Sequence, residues 1–318
     1  MTVATPAVQT EVGSMRRAML AVAASACGFG SIPVLTSLAM AAGMTLTSVL
    51  GWRYALAAVG LALLARLLAT AGPWPSNWRR ILVLGGGGQA AVAFVSLSAL
   101  RYLPPATLTF LFYTYPAWIA VIAAMRGHEP ITPGRAAALA LSLAGIALMV
   151  LSPATTAAPD IAGGSIMVGV ALALGSALLY ALYVPMLGRL QGSADPARVS
   201  TFVIAGAAIC FIGGGLATGT FDHAPPAVGW PFIGLLVVFS TVLAFVLFLR
   251  GLRTLGPVRT AIVSTVEPFW AAVLGAAVGL ERLTPVTIAG GVMIGVAVLL
   301  LQRAGGAAPA VVSAVARE

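Results

Sequence analysis

"LRYLPPATLTFLFYTYPAWIAVIAAMRGHEPITP" (100–133) and "LRTLGPVRTAIVSTVEPFWAAVLGAAVGLERLTP" (252–285) stand 152 residues apart and align without a gap. The identities include Arg101/Arg253, Pro105/Pro257, Pro116/Pro268, Trp118/Trp270, Gly127/Gly279, Glu129/Glu281, Thr132/Thr284 and Pro133/Pro285. The same offset pairs Pro33 with Pro185 and Leu35 with Leu187. Ala, Val and Leu matches come cheaply in an apolar chain. Arg, Pro, Trp and Glu matches at one offset do not, so the chain is a duplicated unit.

The unit is built for lipid. Of 318 residues, 60% are hydrophobic and 8% charged, where a soluble domain carries roughly a quarter charged residues. Apolar runs of the length needed to cross a bilayer recur from end to end. Ten are expected, over 18–40, 46–69, 80–101, 105–125, 132–151, 164–188, 198–219, 229–250, 257–279 and 284–302. Gly and Pro within them are compatible with membrane helices. The expected fold class is an all-α integral membrane protein. A cytoplasmic tail (1–17) precedes a first five-helix repeat (18–151); a linker (152–163), a second repeat (164–302) and a second cytoplasmic tail (303–318) follow. Five is odd, so the second copy enters the membrane from the opposite side. Such inverted-topology repeats build many secondary transporters.

The formal charge of +9 comes from arginine alone, since all seventeen basic residues are Arg. With the N-terminus inside, fourteen of them fall on the inner side, Arg101 and Arg282 fall outside, and Arg53 lies within a span. This asymmetry is a positive-inside signal, with both termini cytoplasmic, and it removes nucleic acid as a partner. Cys27 and Cys210 lie in spans and read as small hydrophobes. His128 and His223 fall on opposite sides, which leaves no histidine-based metal or catalytic cluster. "GGGG" (85–88) has no Walker lysine and sits inside a span, so it reads as a close helix contact or a flexible segment, not a phosphate loop. No cofactor is expected.

The two quoted stretches resemble the signature of helices 4 and 9 in the drug/metabolite transporter superfamily. Its EamA branch carries "EP" within the span and "GE-x-x-T" after it. "GVALALGSALLYALYVPMLGR" (169–189) is similar to the sixth helix of that branch. The branch includes amino-acid exporters, among them the YddG-type exporters of aromatic amino acids. The resemblance covers 18–302 and implies a central cavity surrounded by helices 1, 3, 4, 6, 8 and 9, with helices 5 and 10 more peripheral. It implies a multi-pass protein of the bacterial cytoplasmic (inner) membrane, acting as a monomer on a small-molecule substrate. The first half departs from the pattern, because Tyr115 stands where Glu267 stands in the second.

The polar faces of these spans name the candidate substrate-binding residues. Thr260, Ser264 and Glu267 fall at i, i+4 and i+7, one helical face, and Trp270 extends it. The equivalent face of the fourth span carries Leu108, Phe112, Tyr115 and Trp118. The sixth offers Ser176, Tyr180 and Tyr183; the first offers Ser25, Gly28 and Ser31; the third offers Gln89. A cavity made of these groups is aromatic with a few hydrogen-bonding atoms, suited to small zwitterions with apolar or aromatic side chains. Trp52, Trp74, Trp78, Tyr102 and Trp230 read as interfacial belt residues. Arg53 can either snorkel to the outer interface or meet a substrate carboxylate.

Glu267 is the sharpest of these residues. A carboxylate at membrane depth is costly unless paired. Pro268 removes a backbone donor and frees a carbonyl one turn earlier. Glu267 can then serve the helix break, bind a substrate ammonium or carry a coupling proton. The leading reading is a secondary exporter of small organic metabolites, with apolar or aromatic amino acids as the best class. Drugs, purines or sugars, and a passive channel, are the alternatives. An intramembrane enzyme would need a nucleophile, base or metal constellation, and a single intramembrane acid with no histidine does not supply it.

Overall fold

The structure, a computed structural model, describes residues 6–67, 74–125, 133–150, 166–192, 194 and 196–304. The linker at 152–163, Glu129 and the last residues of the C-terminal tail lie outside the described residues. Among the described residues the chain is helical throughout, with no strand. In chain order the helices are α1 (Pro6–Ala41), α2 (Leu46–Leu67), α3 (Trp78–Arg101), α4 (Pro105–Phe112), α5 (Tyr115–Met125), α6 (Pro133–Val150), α7 (Ile166–Gln191), α8 (Pro196–Ala217), α9 (Trp230–Val237), α10 (Ala244–Ser264), α11 (Val266–Ala277) and α12 (Pro285–Ala304). Helix α1 begins at Pro6, so its helical backbone takes in most of the segment expected as a tail.

Among the described residues, six helical stretches are long and apolar enough to cross a membrane: Met15–Ala41, Leu46–Leu64, Trp78–Arg101, Ile166–Gln191, Arg198–Ala217 and Ala227–Leu252. The outer surface carries large apolar side chains, such as Val83 at 63% and Leu143 at 66% exposure, as a lipid-facing surface requires.

The helix ends sort into two faces. At one, Met44 meets Gly229, Thr45 donates to the Thr220 carbonyl at 2.7 Å, Tyr102 and Leu103 lie against Gly169, and the Ala106 N–H donates to Glu281 Oε2 at 3.3 Å. At the other, Asn77 donates to the Leu190 carbonyl at 2.7 Å, Trp74 and Trp78 pack on Phe202, and Ala18 lies against Gly251. Helix α1 therefore ends at the first face, where α7 begins. The opening helices of the two halves run in opposite directions, as an inverted repeat demands.

Residues Ala244–Ser264 are helical, yet the chain turns back along α1 within this stretch. Ala244 lies beside Gly28 of α1, Gly251 beside Val22, and Glu267 beside Gly30. The path descends α1 and climbs back. The end of the eighth expected span and the start of the ninth thus both lie within α10.

Close backbone approach holds the halves together. A Cβ on Gly86 would fall 2.5 Å from the Gly206 Cα, and one on Gly88 would fall 2.5 Å from the Tyr183 ring. The glycine run is a contact surface between α3, α8 and α7, entered through a π-helical turn at Ile81–Gly85. Helices α6 and α12 pack on each other at Gly145, where a Cβ would lie 2.8 Å from the Gly290 carbonyl oxygen. The main core mixes both halves, with Leu50, Leu61, Leu97 and Leu111 against Ile204, Phe211 and Leu236.

Candidate functional site

The site forms where the repeated proline motifs break their helices. Pro116 and Pro268 fall in the first turns of α5 and α11, where a missing N–H costs nothing within the helix. Each leaves the carbonyl four residues earlier without its helical donor. The helical faces expected to run unbroken from Thr260 to Trp270 and from Leu108 to Trp118 are therefore split. Helix α10 ends at Ser264 and α11 begins at Val266; α4 ends at Phe112 and α5 begins at Tyr115. Thr260 and Ser264 belong to one helix, and Glu267 and Trp270 to the next.

Pro268 frees the carbonyl of Ser264, and a residue of the other half fills it. The Tyr113 hydroxyl lies 3.0 Å from the Ser264 carbonyl oxygen and 2.7 Å from Glu267 Oε2. The donor to the freed carbonyl is therefore Tyr113, not Glu267 itself as the sequence allowed. Helix α1 can approach because Gly30 has no side chain: a Cβ there would come within 2.5 Å of the Glu267 carbonyl oxygen. One residue further along α1, Ser31 accepts from Trp270 Nε1 at 2.9 Å and donates to the Cys27 carbonyl at 2.7 Å.

Around the carboxylate stands an aromatic group from α4, α5 and α7. Tyr115 and Tyr180 meet edge to face at 4.9 Å, Phe112 lies 5.3 Å from Tyr180 and 5.9 Å from Tyr115, and Tyr113 lies 6.0 Å from Tyr115. Tyr183 continues the group at 6.4 Å from Tyr180 and donates to the Gly85 carbonyl at 2.9 Å. Glu267, Phe112, Tyr115 and Tyr180 are only partly buried, so the cluster borders open space.

Of the sequence candidates, Glu267, Phe112, Tyr115, Tyr180 and Tyr183 come together, and Ser31 and Trp270 join them through α1. Ser264 takes part through its backbone. Thr260 is buried. Trp118 is half-buried and makes no ring contact with the cluster among the described residues. Gln89 donates to the Tyr54 hydroxyl of α2 at 3.0 Å. Ser176 donates back to the Ala173 carbonyl. Sequence reasoning missed Tyr113, Tyr54 and Gly30. Tyr113 lies off the polar face of an unbroken helix, and only the break before Pro116 turns it inward. Of the belt residues, Trp52 packs on Trp230 at 5.2 Å near one face, and Trp74 and Trp78 pack on Phe202 near the other.

A carboxylate among aromatic rings, at helix breaks contributed by two inverted halves, defines a class of protein: the membrane transporters built on internal repeats. The model of the EamA-like transporter family matches twice, over residues 16–151 and 167–303, and the chain belongs to that family. It is accordingly a multi-pass membrane transporter of small molecules, of the drug/metabolite transporter type. The matches follow the two halves of the duplication. The family match does not confirm the YddG-type resemblance. No curated protein matches the sequence significantly. Among the solved structures that match, one crystal structure superposes with a TM-score of 0.61, covering 89% of this chain and 94% of its own at 17% identity, a likeness of fold alone.

Proposed function

We propose that this protein is a secondary exporter of small organic metabolites, with amino acids bearing apolar or aromatic side chains as its substrate class, working by alternating access between its two halves. In this reading ten helices cross a bacterial cytoplasmic membrane with both termini inside, and the protein acts as a monomer. The broken helices α4–α5 and α10–α11 flank the substrate. Glu267 meets the ammonium group or carries a coupling proton, while Phe112, Tyr115, Tyr180 and Tyr183 contact the side chain. Trp270, Ser31, Ser264, Thr260, Trp118 and Gln89 complete the lining as the two halves exchange conformations. The observation that carries the reading is the Glu267 carboxylate, bonded across the repeat to Tyr113 and ringed by aromatic faces. That combination matches a cation attached to an apolar body.

The test is counterflow in proteoliposomes. Vesicles preloaded with unlabelled phenylalanine, tyrosine, leucine or valine should take up the labelled amino acid transiently, with saturation. Counterflow with purines, sugars or cationic drugs but no amino acid would overturn the substrate class. Flux that neither saturates nor shows counterflow would replace the transporter with a channel.

A further inference from the structure

We propose that Arg53 of α2 is an anion-binding site whose ligand is the carboxylate of the transported molecule. This deepens the reading above and rests on it for the location of substrate. Arg53 is 6% exposed. Among the described residues no carboxylate pairs with it, and its one hydrogen bond runs from Nε to Thr241 Oγ1 at 3.1 Å. Thr241 donates its own proton to the Leu236 carbonyl at 2.7 Å, so it presents only lone pairs to the guanidinium. The Tyr54 ring lies beneath the charge at 5.1 Å. The four N–H groups on the terminal nitrogens, which form the fork that fits a carboxylate, meet no acceptor among the described residues. They are also not sealed in. Ser25 Oγ, Thr36 Oγ1, Ser240 Oγ and Glu281 Oε1 are fully buried without a partner, and the Arg53 nitrogens are not of that kind.

The direction of the side chain rules out snorkelling. Helix α2 and the chain from Ala227 onward leave the same face together, since Met44 meets Gly229 and Gly60 meets Val242. By that pairing Arg53 is level with about residue 235. Its Nε instead reaches Thr241, roughly 9 Å deeper along the axis. A helical side chain leaves its Cα tilted toward the helix N-terminus, here the near face, and Arg53 reaches the other way. Thr241 lies in the π-helical turn Val238–Leu243, a distortion common at functional sites. The charge is thus carried inward, toward the depth of Gly28 on α1, which packs on Phe239 and Ala244 of the same segment. A buried cation held inward with its fork unused calls for a mobile counter-ion.

The experiment uses the full-length purified protein. Thermal stabilisation is measured with phenylalanine, with 3-phenylpropionate (no ammonium), with phenethylamine (no carboxylate) and with chloride. Phenylalanine and 3-phenylpropionate should stabilise wild type; Arg53→Gln should weaken both by roughly thirtyfold or more and leave phenethylamine unchanged. Stabilisation by 3-phenylpropionate but not by amino acids would keep the carboxylate site and remove the amino-acid reading. Equal response to chloride would replace the carboxylate with an inorganic anion. If Arg53→Gln does not fold, phenylglyoxal modification of Arg53 in wild type, read by peptide mass spectrometry, takes its place, and 3-phenylpropionate should protect. Acids that stabilise the variant as well as wild type, or that fail to protect Arg53, overturn the proposal.

Discussion

Tyr113 has one hydroxyl proton and two acceptors, the Glu267 carboxylate at 2.7 Å and the Ser264 carbonyl at 3.0 Å. The count closes in only one protonation state. With a proton on Glu267, the acid donates to Tyr113 and Tyr113 donates to Ser264. With Glu267 ionised, Tyr113 turns to the carboxylate and the carbonyl freed by Pro268 loses its donor. Tyr115 and Tyr180, the other titratable groups facing the carboxylate, bring rings and hydroxyls but no positive charge. Two substitutions separate the roles. In Tyr113→Phe the ring remains and both bonds go, so detergent-solubilised protein should lose about 1–3 kcal/mol and melt earlier. In Glu267→Gln the amide donates to Tyr113 as the protonated acid does, so the melting temperature should hold. If Glu267 carries a proton, pH-driven flux in Glu267→Gln should vanish while exchange persists; if it binds ammonium, both should fall with binding. At this scale the sequence was legible for charge and blind to direction. Glu267 is conspicuous because acids are scarce, and Pro268 announces a freed acceptor, but which side chain answers it depends on the opposing half.

At the scale of elements, the period-3.6 reading placed on one continuous helix residues that the structure divides between two. Thr260, Ser264, Glu267 and Trp270 keep the spacing of one helical stripe, yet the stripe crosses the end of α10 and the start of α11. Proline in a first turn needs no N–H, so the same residue that looks like a kink inside a long apolar run acts as the start of a new helix. Pro33 and Pro185 show the other outcome, since each lies inside one long helix, α1 or α7. Context, not the residue, decides between kink and restart, and a single sequence does not carry that context. The break itself is testable. Pro268→Ala restores an N–H that can reach the Ser264 carbonyl and displace Tyr113. The melting temperature should hold or rise, because a helical hydrogen bond replaces a tertiary one. Counterflow should fall, because the C-terminal end of α10 and α11 would then move as one rod. A variant with wild-type counterflow would show that the discontinuity is not needed for transport.

For the whole molecule, the duplication was the most legible feature, because it rests on Arg, Pro, Trp and Glu matches that composition cannot produce. It foretold the opposite directions of α1 and α7. What it could not foretell is how the halves touch at any one moment, since two inverted copies can close either face. In this structure one point of contact is at the face that holds Glu281. Its Oε2 accepts from the Ala106 N–H at the start of α4, while Oε1 is buried without a partner. The α11–α12 loop of the second half thereby caps the broken helix of the first. Burial pushes the Glu281 carboxyl up to about 8 from an ordinary value of 4.5, and the Ala106 N–H pulls it back only in part. The folded protein therefore holds a proton that the unfolded chain gives up. The stability this group contributes is complete below pH 4.5 and is lost as pH rises through about 8. Above that pH an ionised Glu281 must either find water or leave its place, and the contact between halves weakens. Thermal melts of detergent-solubilised protein should fall between about pH 6 and pH 9. Glu281→Gln keeps an acceptor for Ala106 and cannot ionise, so its melting temperature should stay level across that window. A cysteine pair joining the loop at 278–284 to the start of α4 should likewise cross-link well at pH 6 and poorly at pH 9 in wild type, and equally at both in Glu281→Gln. Parallel pH profiles in the two proteins would remove Glu281 from the contact between the halves at this face.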